Sequence, residues 1–265
     1  MSSDQPGRAT VVVVLGMHKS GTSLISEILH HSGIEMLEEE STLGYDQGFH
    51  HERRATSDIN KDLLRSRGLH SLETIRKLDL DNVDQNVRTV ALQFVAAMAD
   101  RDLDWGFKDP RTCLTYDLWR SILPAHKLVC VFRDAPEVLQ HYARTTKGSP
   151  FRALRAWFEY NKAMLEAYQR TPEADRRMIH YRSFMASADG LETLSTFIGR
   201  PLADRRSERL MRSKDKSRLS YLFRTRLHRM ISSQDVAGLN RSLRRISASE
   251  QRRLQTAQSL LLGTA

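Results

Sequence analysis

The chain has 265 residues, 40% of them apolar and 28% charged, with a formal net charge of +9. That is enough apolar material for one sizeable core, no segment approaches the roughly 20 apolar residues that span a bilayer, and two cysteines are too few for a disulfide-stapled scaffold. Met1 to Thr10 is polar and lacks a signal-peptide core, so the expectation is one cytoplasmic domain over 1–265, with an α/β core at 10–200 and a basic helical extension at 201–265.

In chain order, Val11-Val-Val-Val-Leu15 is an apolar run that stops at Gly16, after which Leu24, Ile25, Ile28 and Leu29 recur at helical spacing. A buried strand, a turn and a helix N-terminus follow from that pattern. Between them lie His18, Lys19, Ser20, Gly21, Thr22 and Ser23, the composition of a loop whose backbone N–H groups and helix dipole converge on an anion. Glycines that only tighten a βα connection account for the same spacing without a ligand. Gly16-x4-Gly21-Thr22-Ser23 resembles a P-loop with its lysine displaced: Lys19 stands two residues ahead of the second glycine, whereas a nucleotide triphosphatase carries lysine directly after it.

Further along, residues 34–36 read as a short strand and Gly33–Gly48 as a turn-rich loop that closes over the site. Gly48-Phe-His50-His51-Glu52 follows, with Asn60 and Leu63-Leu64 behind it. A glutamate there also suits a helix N-terminus, where carboxylates are favoured. Trp105-Gly-Phe-Lys108-Asp109-Pro110-Arg111 is a short strand and turn, in which Asp109 reads as an ion-paired carboxylate held down by Lys108 and Arg111. Lys127-Leu-Val-Cys-Val-Phe-Arg133 is an apolar strand ending in an arginine, followed by a helix that carries His141. Arg133 suits a phosphate because guanidinium makes bidentate, charge-assisted bonds; an ion pair with Asp134 at a helix cap is the plainer alternative. Cys113 and Cys130 read as reduced structural thiols, and residues 177–181 as a further strand. Strands separated by helices call for a parallel sheet covered on both faces.

Lys19-Ser-Gly-Thr-Ser23 together with Arg133 resembles the sulfotransferases that use 3′-phosphoadenosine 5′-phosphosulfate. Lys108-Asp-Pro-Arg111, Trp157-Phe-Glu-Tyr160-Asn161 and Ile179-His-Tyr181 through Phe197-Ile-Gly199 are similar to segments of the bacterial members, over roughly residues 10–200. The resemblance implies a three-layer, P-loop-like α/β fold with about five parallel strands, near 10–15, 34–36, 105–108, 127–132 and 177–181, and a helical C-terminal extension. It implies that Ser20, Gly21, Thr22 and Ser23, with His18 beside them, hold the 5′-phosphosulfate, and that Lys19 stabilises charge on the departing oxygen. It assigns Arg133 and His141 to the 3′-phosphate, with histidine where the family carries serine, and Tyr181 to the neighbourhood of adenine. Glu52 is then the general base, with His50 or His51 in reserve, and no metal is called for because lysine and the helix dipole supply the positive charge.

Residues 200–253 hold sixteen Lys and Arg but five Asp and Glu, a surplus larger than that of the whole chain. A solvated basic face is one reading. The others are an anionic saccharide or lipid-linked glycan as acceptor and peripheral contact with a membrane, ahead of nucleic acid. Arg212-Ser-Lys214 is the nearest counterpart to a basic loop that reaches the 3′-phosphate in the family, and Ser247-Ala-Ser-Glu250 carries the signature of a capping box. Two other classes remain open: a P-loop kinase or NTPase, using Asp109 or Asp134 for a metal, and a nucleotide fold that binds membrane or nucleic acid through its tail.

Overall fold

The run of β-branched residues Val11–Leu15 forms a strand, β1, that is buried at every position because side chains on both of its faces meet helices. The computed structural model describes residues 9–37, 52–69, 83–139, 150–206, 225–228, 230, 232 and 234–262. Around β1 lie β2 (Trp105–Lys108), β3 (Lys127–Phe132) and β4 (Arg176–His180), all parallel, in the order β2-β1-β3-β4. Eight helices have their bounds within the described residues: α1 (Thr22–His30), α2 (Arg54–Arg65), α3 (Gln85–Ala99), α4 (Thr112–Ile122), α5 (Pro150–Arg170), α6 (Tyr181–Ala186), α7 (Ala188–Ile198) and α8 (Val236–Leu262). Among the described residues, no helix is long and apolar enough to cross a membrane.

The sheet divides the apolar core by the two-residue period of its strands. Val12 and Val14 pack with Leu24, Ile25 and Ile28 of α1. Val11, Val13 and Leu15 face the opposite layer, with residues of α2, α3, α4, α5 and α8. The three-layer α/β arrangement agrees with the expectation, but the segment 34–36 is not a full strand. It contributes a single parallel bridge, Glu35 to Trp105, in which Glu35 N–H donates to the Asp104 carbonyl and Gly106 N–H to that of Glu35. The next rung needs the Gly106 carbonyl, and Arg53 Nε takes it at 3.3 Å.

The other edge is closed by α8. Met178 N–H donates to Glu250 Oε2 at 2.8 Å and His180 N–H to Ser247 Oγ at 3.2 Å, so α8 side chains satisfy alternate outward amides of β4. This corrects the capping-box reading of Ser247 and Glu250. Both lie inside an unbroken helix, and β4 occupies the side chains that a cap would need.

Asn60 ties α2 to α4. It is fully buried, its Nδ2 donates to Thr112 Oγ1 at 2.9 Å, and its Oδ1 accepts from Thr115 Oγ1 at 2.7 Å and Trp119 Nε1 at 2.9 Å. Asn60→Ala leaves the Trp119 indole N–H and the Thr112 hydroxyl in the core without this partner, at about 1–3 kcal/mol for each group left unsatisfied, while Thr115 Oγ1 keeps the Arg111 carbonyl at 3.4 Å. Urea unfolding of the variant should show a lower midpoint at unchanged slope.

Candidate functional site

Parallel strands bring their carboxyl ends to one edge of the sheet, where α/β proteins bind ligands. Four segments meet there: the β1–α1 loop, Lys108–Arg111 at the end of β2, Arg133–Asp134 after β3, and His180–Tyr181 at the end of β4.

The loop carries two left-handed residues, Lys19 at φ 67° and Gly21 at φ 98°. Such a conformation is uncommon for a lysine and marks a constrained backbone. At Gly21 only glycine fits, because a Cβ would lie 1.9 Å from Tyr181 Cδ2. The loop is pinned at its start by Gly16 N–H, which donates to Cys113 Sγ at 3.2 Å. Cys113 and Cys130 are free and buried, and burial pushes the Cys113 thiol up to about 12. Both thiols are structural, as expected. Among the described residues no side chain caps α1, and its first turn has no acidic residue, so its leading amides keep their partial positive charge there. Inside the loop the Ser20 hydroxyl is buried and has no hydrogen-bond partner among the described residues. A buried hydroxyl beside free helix-terminal amides is the donor set of a phosphate or sulfate cradle, so these residues fit the anionic end of a nucleotide. The Lys19 side chain extends into solvent from this loop, and His18 lies edge-on to Tyr160 of α5 with ring centroids 6.0 Å apart.

Arg133 joins the same cluster. Its guanidinium carbon sits 4.3 Å from the centroid of the Tyr181 ring, its Nε lies 3.2 Å from Glu137 Oε2, and its Nη1 donates to the Lys19 carbonyl at 3.4 Å. Tyr181 thus packs between the loop and the arginine that the sequence assigns to a neighbouring phosphate. Its ring is buried.

The largest departure from the sequence reading concerns Lys108. The sequence suggests that it pairs with Asp109. In the structure its side chain is 1% exposed, and Nζ donates to Glu52 Oε1 at 2.8 Å with Ser23 Oγ at 3.4 Å. Burial pulls the lysine pKa below its ordinary value, against the attraction of Glu52. Glu52 therefore does not open a helix. α2 begins two residues later, and Arg53 anchors that start: wholly buried, it donates through Nη2 to the Glu35 carbonyl at 2.7 Å and pairs with Glu35 Oε1 at 3.0 Å. Asp109 goes to Arg111, whose backbone N–H donates at 2.7 Å and whose Nη1 bonds both carboxylate oxygens at 3.1 and 3.0 Å. Complete burial raises the Asp109 carboxyl although Arg111 opposes it, which corrects the expectation that neighbouring cations hold it down.

Asp134, next to Arg133, is buried and accepts from Arg244 through Nε at 2.6 Å and through Nη2, and from Asn240 Nδ2 at 3.1 Å. His180 Nε2 is 3.3 Å away. Burial alone raises this carboxyl, but His180 and Arg244 outweigh it and hold it well below the carboxylate range. Of the residues singled out in the sequence, the structure brings together Lys19, Ser20, Gly21, Thr22, Ser23, Glu52, Arg133 and Tyr181, with His18 beside them. His50, His51, His141, the loop 38–48 and Arg212–Lys214 lie outside the described residues. Lys108 and Trp157, whose Nε1 donates to the Arg133 carbonyl at 3.0 Å, join the site without having been assigned a role in it, and Asp134 joins it bound to Arg244 instead of paired with Arg133 or left for a metal. The signal for the first was its place at a strand end.

The sequence model of the sulfotransferase family matches residues 12–204. The sulfotransferase domain of the olefin synthase of Synechococcus PCC 7002 superposes with a TM-score of 0.53 at 16% identity, covering 91% of this chain and 97% of that one, a likeness of fold. The sulfotransferase domain from the curacin biosynthetic pathway matches with a TM-score of 0.49 at 14% identity over 75% and 76% of the two chains. Sulfotransferase STF1 from Mycobacterium tuberculosis H37Rv matches with 0.44 at 12% identity over 76% and 70%. No curated protein matches the sequence.

Because the folded-state pKa of Asp134 is depressed, its contribution to stability is present above the unfolded value of about 4 and is lost as pH falls toward the folded one. Asp134→Asn should be less stable than the parent at neutral pH. The gap should narrow as the pH is lowered below about 4, measured by denaturant titration across pH.

Proposed function

The chain belongs to the sulfotransferase family, and from that premise we propose that it moves the sulfuryl group of 3′-phosphoadenosine 5′-phosphosulfate to a hydroxyl or amine of an acceptor. The observation that carries the reading is the meeting of two anion sites: the Lys19–Ser23 loop, whose buried Ser20 hydroxyl has no partner among the described residues, and Arg133 beside it across Tyr181. In this reading Ser20 to Ser23 hold the 5′-phosphosulfate and Arg133, with His141, takes the 3′-phosphate. Transfer forms an acceptor-oxygen (or nitrogen) to sulfur bond and breaks the bond from sulfur to the bridging oxygen. The negative charge that grows on that oxygen is met by Lys19, a preorganised term of about 2.7–4 kcal/mol where such donors have been removed from oxyanion holes.

The proton leaves the acceptor for Glu52. Lys108 supports this role, since its Nζ holds one carboxylate oxygen at 2.8 Å and fixes the direction of the other before the acceptor arrives. The same ammonium reaches Ser23 in the first turn of α1, so base and loop are joined through one buried cation. A kinase reading draws less support, because the carboxylates it would offer a divalent cation, Asp109 and Asp134, are both bound to arginines. For the acceptor we propose an anionic saccharide or lipid-linked glycan, with peripheral contact to a membrane surface. The basic extension supports this, including the exposed Arg241, Arg245 and Arg252 of α8.

Calorimetry without metal should show adenosine 3′,5′-bisphosphate binding far more tightly than ADP, which offers Arg133 nothing to clamp. Equal affinities would refute the donor assignment. Glu52→Gln keeps the volume and an acceptor for Lys108 but cannot take a proton, so turnover should fall by about 10²–10⁴ while nucleotide affinity stays close to that of the parent. Since the buried Lys108 loses its counter-charge, a lower thermal midpoint should accompany the change. Full turnover in this variant would move the base elsewhere.

A further inference from the structure

The family match ends at residue 204, yet α8, at Val236–Leu262, reaches back to the candidate nucleotide site. We propose that Asn240 and Arg244 of α8 are positioning residues for the 3′-phosphate arginine, acting through Asp134, so that the C-terminal helix is part of the donor site. The inference rests on the assignment of Arg133 above.

Arg133 follows the last residue of β3, and the backbone on either side of its side chain is held by other elements. Its carbonyl accepts from Trp157 of α5. The next side chain, Asp134, is gripped by the Arg244 fork and Asn240 Nδ2. The next amide, Ala135 N–H, donates to Asn240 Oδ1 at 3.2 Å. Asn240 thus caps the helical residues 135–139 with its oxygen while its nitrogen fixes Asp134. That helix presents Glu137, 3.2 Å from Arg133 Nε and also bonded by Arg182 Nε at 2.7 Å. Released from α8, the β3 end gains freedom in the dihedrals that aim the guanidinium, while the β1–α1 loop keeps its own anchor on Cys113. A fork-shaped donor depends on its aim for bidentate contact with phosphate.

The Arg244 side chain is 54% exposed, so its replacement opens no cavity. The experiment measures the dissociation constants of adenosine 3′,5′-bisphosphate and AMP by calorimetry on the full chain and on Arg244→Gln and Asn240→Ala, with thermal midpoints alongside. AMP lacks the 3′-phosphate and reports everything except the clamp. In each variant the preference for the bisphosphate should fall about tenfold, within the range by which residues remote from a ligand alter coupling, and AMP affinity should hold. A parallel loss for both nucleotides, or an undiminished preference in folded variants, overturns the proposal while leaving the donor assignment intact. If the unaltered chain has no preference for the bisphosphate, the assignment of Arg133 falls and takes this inference with it. Asn240→Ala keeps Arg244 on Asp134, so a fold that tolerates only one of the two changes still decides between these outcomes.

Discussion

Parallel pairing of β1 with β2 and β3 is the constraint on which the site depends. Because all four strands run the same way, their carboxyl ends open onto one edge, and residues as far apart as Ser20, Lys108, Arg133 and Tyr181 arrive within reach of each other. A sheet with antiparallel neighbours would send alternate ends to opposite sides. The cost of the arrangement is that every strand needs a crossover and both faces need covering. α1 and α7 on one side, and α2 to α5 on the other, meet that need with the two apolar clusters.

Placing chemistry at the sheet edge requires burying charge, and each buried charge there has a specific partner. Arg53 goes to Glu35 and the Gly106 carbonyl, Lys108 to Glu52, Asp109 to Arg111, and Asp134 to Arg244. Well-packed apolar residues can match such pairs for stability, whereas loss of one member leaves a desolvated charge at several kcal/mol. Their use here is geometric. Arg53 bonds the Gly106 carbonyl and Lys108 bonds Glu52, so the start of α2 and the carboxylate of Glu52 are set relative to β2 by two independent bonds.

The C-terminal helix does three jobs with one surface. It covers the apolar layer through Val236 and Leu243, satisfies the outward amides of the edge strand β4 through Ser247 and Glu250, and holds the end of β3 through Asn240 and Arg244. An edge strand with unpaired amides invites pairing with other chains. Here the side chains of a helix fill that role, which is why polar residues of apparent capping type stand in mid-helix.

The local elements were legible from sequence because they depend on local pattern. Four valines before a glycine and an apolar run ending at Arg133 gave β1 and β3 with their boundaries nearly right, and the helical spacing after the glycine gave α1. The partners of the charged residues were not legible. Lys108 lies beside Asp109 in sequence but bonds Glu52, 56 positions away, and Asp134 meets Arg244 across 110 positions. Successive side chains of a strand point to opposite faces, so neighbours in sequence at a strand end face different surroundings, and only the tertiary placement of Glu52 beside the end of β2 and of α8 along β4 decided which charges would meet. The single rung at Glu35 has the same origin: residues 34–36 suit a strand, and the buried guanidinium of Arg53 took the carbonyl that the next rung required.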